Sequence, residues 1–127
     1  MPVKLETSLR NIQLLDNSNS AKLIHEFYLY LRSVNTSESY QNQNIKGLIN
    51  IAKFFEKDLE FIRISKKEEI LLFLNTKIKN KEEDPDGKWM LTWNDYLQRI
   101  KYFFRWLHNE KLTQLKRTEK VNLLLIL

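Results

Sequence analysis

Catalysis by this chain alone would have to be assembled from few parts. There is no cysteine, which excludes a thiol nucleophile, a cysteine metal site and a disulfide framework. The two histidines, His25 and His108, lie far apart in sequence and form no H-E-x-x-H pair, so no metal site is expected. His25 sits between Ile24 and Glu26 on a helical stretch, a half-buried or surface position rather than that of a base. His108 falls in the last turn of a helix, where an imidazolium complements the dipole. The run Glu82-Glu83-Asp84 belongs to a solvated loop, and no serine or threonine sits in a nucleophile elbow. The two glycines, Gly47 and Gly87, cannot build a phosphate-cradling G-x-G or G-x-x-x-x-G-K loop. The sequence therefore implies no catalytic residue, no cofactor, no metal and no small-molecule substrate.

Binding chemistry is better represented. On a helical stretch from Leu91 to Asn109, Asn94, Gln98, Lys101 and Arg105 recur at i, i+4, i+7 and i+11, opposite Ile100. Asn and Gln can make bidentate bonds to an adenine edge, and Lys and Arg can bond phosphate or guanine. A second stretch, Glu38 to Lys57, sets Asn42, Gln43, Lys46, Asn50, Lys53 and Lys57 opposite Leu48. Neither set contains an acid. Every amphipathic helix has a polar face, so the pattern alone is balanced between a nucleic-acid surface and ordinary solvation. The charge, 21 Lys+Arg against 16 Asp+Glu or +5, adds a mild bias towards polyanions. From Gln98 to Lys120, seven cations stand against two anions, a pattern that fits a phosphate tracker or a solvated linker.

These residues must be held by helices. Four Gly and Pro among 127 residues is about 3%, against roughly 12% in average usage, far too few for the turns of an all-β domain. Leu5, Leu9 and Ile12 make a short first pattern, and Asn17 to Ser20 offers N-caps for a helix from Ala21 to Ser33. Asn35-Thr36-Ser37 is the cap cluster before Glu38 to Lys57. Ser65-Lys66-Lys67-Glu68 fits a capping box opening a helix that runs to about Asn80, with Ile70, Phe73, Leu74 and Ile78 apolar. Lys81 to Lys88 is a polar loop whose Asp84-Pro85-Asp86-Gly87 turn is expected to be mobile and dispensable for folding.

The aromatics read mostly as packing. Trp93 lies on the apolar stripe of the Leu91–Asn109 helix, while Trp106 lies off it, facing another helix or a partner. Phe54, Phe55, Phe61, Tyr28 and Tyr30 read as core with a wet tyrosine edge. No apolar leader or membrane span is evident, the longest apolar run being Leu123 to Leu127, so the expected location is cytoplasmic with no membrane contact.

Three segments carry a resemblance. Ser20-Ala21-Lys22-Leu23-Ile24-His25-Glu26-Phe27-Tyr28-Leu29-Tyr30-Leu31 resembles the opening helix of the core-binding domain of tyrosine recombinases, the phage integrase family. Asn35-Thr36-Ser37-Glu38-Ser39-Tyr40 is similar to that domain's polar turn before its second helix. Trp89 to Leu107, with Thr92 at its opening and Phe103-Phe104-Arg105-Trp106-Leu107 at its close, resembles its last helix, in an archaeal style. The resemblance spans about Ser20 to Asn109 and implies an all-α, SAM-like bundle of four main helices. Short extra helices fit at both ends: residues 1–19 would be an N-terminal segment, 20–109 the domain, and 110–127 a basic linker and apolar tail. It further implies that the second and fourth helices grip duplex DNA in recombination or integration, alongside other recombinase subunits. The family's catalytic Arg, Lys, His-x-x-Arg and Tyr have no match here, so DNA binding without strand cleavage is expected. A helical protein-interaction adaptor is the alternative.

Overall fold

A computed structural model describes residues 4–55 and 67–111, all helix, turn and loop, with no strand among them. The chain divides into two compact units between Ile64 and Ser65. The short helix before residue 19 belongs to the first unit.

That unit holds α1 (Leu5–Ile12), α2 (Ser18–Ser33) and α3 (Glu38–Phe55). Asn17 caps α2: its Oδ1 accepts from the Ser20 N–H at 3.0 Å. The Asn35-Thr36-Ser37 cluster divides its labour. Asn35 takes φ 61°, a left-handed stop that asparagine tolerates, while the Thr36 N–H and hydroxyl both donate to the Leu31 carbonyl. Ser37 then caps α3, its Oγ accepting from the Tyr40 N–H at 3.1 Å. The α3 helix packs against both α1 and α2. Ile24, Phe27, Leu31, Ile45 and Leu48 are essentially sealed from water, and Ile12 and Leu15 are buried with them. The two buried α3 amides are anchored locally. Gln41 Nε2 donates to the Thr36 carbonyl and Asn44 Nδ2 to the Tyr40 carbonyl, each at 2.9 Å.

The second unit holds α4 (Lys67–Leu74), a 3-10 turn (Asn75–Lys77), α5 (Trp89–Trp106) and a single π-helical turn (Leu107–Lys111). The α4 helix stops six residues before the expected Asn80. Asn75 and Thr76 compete for the backbone with short polar side chains, and the Thr76 hydroxyl takes the Phe73 carbonyl at 2.6 Å. Ile78 is consequently extended and half exposed rather than part of the core. Lys77 folds back instead, its Nζ 4.9 Å from the Phe73 ring centre and 5.0 Å from that of Tyr96.

The loop before α5 is bonded through its own side chains. Asn80 Oδ1 accepts from the Glu83 N–H at 2.8 Å, and Asp84 Oδ2 accepts from the Trp89 N–H at 2.7 Å. That carboxylate starts α5 at Trp89, two residues before Leu91, and sits at the positive end of its dipole. The reversal is completed by Gly87 at φ 65°, where a Cβ would also lie 2.8 Å from the Met90 methyl. Ile100, Phe103, Phe104, Trp106 and Leu107 form the buried side, so Trp106 packs, its ring 5.8 Å from Phe103. His108 is buried beside Phe104 rather than displayed at the helix end. Phe54, expected in the core, is 42% exposed. The expected capping serine Ser65, Lys57, Phe61 and the tail 121–127 lie outside the described residues.

Candidate nucleic-acid interface

The α5 face is presented as the spacing predicts. Asn94, Gln98 and Arg105 are exposed and Lys101 is half exposed. Among the described residues, no hydrogen bond or ion pair occupies any of the four. Their neighbour Asp95 is an acid that the sequence stripe passes by. It is engaged by Arg99 one turn on, with Nε to Oδ2 at 3.1 Å and Nη2 to Oδ1 at 3.2 Å. Acid preceding base by four residues is the favourable order on a helix. The pair cancels the one negative charge beside the stripe, leaving Lys101 and Arg105 as its uncompensated charges.

The α5 face also extends further than the amides and cations suggest. Leu91 stands three residues before Asn94 and seven before Gln98, so it shares their side of the helix, and it is 74% exposed. In the sequence Leu91 marks only the expected start of the helix. The signal was available: the stripe Leu91, Asn94, Gln98, Lys101, Arg105 alternates steps of three and four without a break.

The α3 face is narrower than expected. Gln43, Asn50 and Lys53 are exposed and Lys46 is half exposed, a continuous run along the outer side. Gln43 Nε2 reaches the Ser39 Oγ at 3.4 Å. Asn42 departs from the stripe: it is half-buried, and its Oδ1 accepts from the buried Ser8 hydroxyl of α1 at 2.5 Å. The reason is the double packing of α3. Asn42 lies two turns before Ile49, which is buried, so it occupies the flank that α1 covers. A reading that gives α3 one partner leaves that flank in solvent.

Elsewhere the described residues offer less. A shallow cleft of about 480 Å³ opens beside the α2–α3 turn, its charged groups being Arg32 and Glu38. Its Thr36 hydroxyl is committed to the Leu31 carbonyl at 2.8 Å. No group of three or more His, Asp or Glu among the described residues could hold a metal ion. No described helix is long and apolar enough to cross a membrane.

Comparison of the chain with protein-family models, with curated proteins and with solved structures finds no match. The all-α architecture therefore stands on the chain's own geometry.

Proposed function

We propose that this chain is a duplex-DNA binding module that works without strand cleavage, in the manner of a tyrosine-recombinase core-binding domain. The observation that carries this reading is the α5 face. Two amides and two cations stand in one stripe, free of intramolecular bonds to the described residues, beside an acid that is already paired. The exposed Gln43, Asn50 and Lys53 and the half-exposed Lys46 give α3 a second face of the same composition.

In this reading the cations meet phosphate and fix register, while the amides reach base edges. The helices belong to a SAM-like bundle, the setting is cytoplasmic, and further partners are other recombinase subunits. The resemblance over Ser20 to Asn109 supports the assignment to site-specific recombination or integration.

Fluorescence anisotropy of a labelled duplex, titrated with the chain across a salt series, tests the reading. Four cations, Lys46, Lys53, Lys101 and Arg105, neutralising one phosphate each predict log K falling against log salt with a slope of roughly −3 to −4. Absence of salt-dependent binding would remove it. The exposed apolar side chains of Leu14 (76%) and Leu72 (63%) favour a second reading, a helical protein-interaction adaptor, which would then take its place.

A further inference from the structure

We infer that α5 selects a run of three successive A·T base pairs, with Leu91, Asn94 and Gln98 as the specificity-determining residues; this rests on the duplex-DNA reading above. The three occur at i, i+3 and i+7 on one face of a regular helix, and all three are exposed. Steps of three and four residues advance a helix by about 4.5–6 Å, and side chains so spaced along a helix that enters the groove at an angle meet successive base pairs.

The chemistry of each position points to the same base pair. Asn94 and Gln98 carry a carboxamide, whose oxygen accepts from adenine N6 while its nitrogen donates to N7. Guanine presents two acceptors on that edge, which leaves the amide oxygen unsatisfied. Leu91 has no hydrogen-bonding group, and it stands 74% exposed on an otherwise polar stripe. In the major groove the one apolar feature it can cover is the thymine methyl. Lys101 and Arg105 continue the stripe beyond Gln98, where the helix leaves the base edges and reaches phosphate. Charge and specificity thus occupy separate ends of one face.

The test uses the full chain and a pool of duplexes with a randomised core, sequenced after selection. The expected product is a core containing three adjacent A·T pairs. On that core, 7-deazaadenine, which lacks the N7 acceptor, should weaken binding roughly fivefold or more at each read adenine. Replacing thymine by uracil removes only the methyl and should cost about fourfold, the worth of one buried methyl group. Leu91→Ala should abolish the uracil effect alone, and Asn94→Ala or Gln98→Ala the deaza effect at one position each. Gln98→Arg should move the preference at its position from adenine to guanine. Circular dichroism checks that each variant keeps its helices. Salt-dependent duplex binding with no A·T enrichment, or with base effects indifferent to these substitutions, overturns the inference and leaves DNA binding standing. No salt-dependent binding to any duplex overturns both.

Discussion

Single polar side chains decide where the helices begin and end. Asn17 and Ser37 were legible as caps because a cap bonds to a backbone N–H three residues on, within the span that a local motif describes. Asp84 was not, because it reaches the Trp89 N–H from five residues away across a turn, and the sequence shows only an acidic loop. Asp84→Ala should therefore lower stability by about 0.5–2 kcal/mol, seen as a fall of several degrees in the thermal midpoint. An unchanged midpoint would mean that the loop is the dispensable connection its composition suggested. Gly87→Ala should cost about 1 kcal/mol or more in the same measurement, since alanine resists φ 65° and would press on Met90. Asn42 separates from its neighbours at this scale too. Asn42→Ala breaks the bond from the buried Ser8 hydroxyl and should cost about 1 kcal/mol of stability in urea denaturation. Lys53→Ala, at an exposed position, should leave stability almost unchanged and act on DNA affinity instead.

Helices with one packed face were read well, and those with other arrangements were not. The α5 pattern of Ile100, Phe103 and Phe104 opposite Gln98 and Arg105 needs only a helical period, and the structure follows it. The α3 helix is packed on two sides, so the flank bearing Asn42 closed although its residue type suits solvent. The α4 helix ended early because Asn75 and Thr76 favour local backbone bonds, an effect that apolar spacing cannot register. Lys77 is part of that ending, its ammonium over two aromatic rings. At this scale Phe27→Ala and Phe103→Ala, each emptying a sealed position, should cost about 3–5 kcal/mol in chemical denaturation. Lys101→Ala and Arg105→Ala should instead leave the unfolding curve in place and reduce the salt slope of duplex binding by about one each.

For the molecule as a whole, composition fixed the class. So few glycines and prolines could only serve helices, and all described regular structure is helical. The division into two units was not legible, since no run of Gly, Pro or Ser marks the boundary after Ile64. Each unit carries one of the two polar faces, α3 in the first and α5 in the second. The net charge of +5 gives only a mild bias towards polyanions, so where the cations stand matters more than their number. The most direct measurement is amide chemical-shift mapping of the labelled chain on addition of a short DNA duplex. DNA bound at both polar faces would perturb amides gathered on two helices, at Gln43, Lys46, Asn50 and Lys53 and at Leu91, Asn94, Gln98, Lys101 and Arg105, fading as salt is raised. Perturbations confined to α1 and α2, or none at all, would contradict binding at those faces.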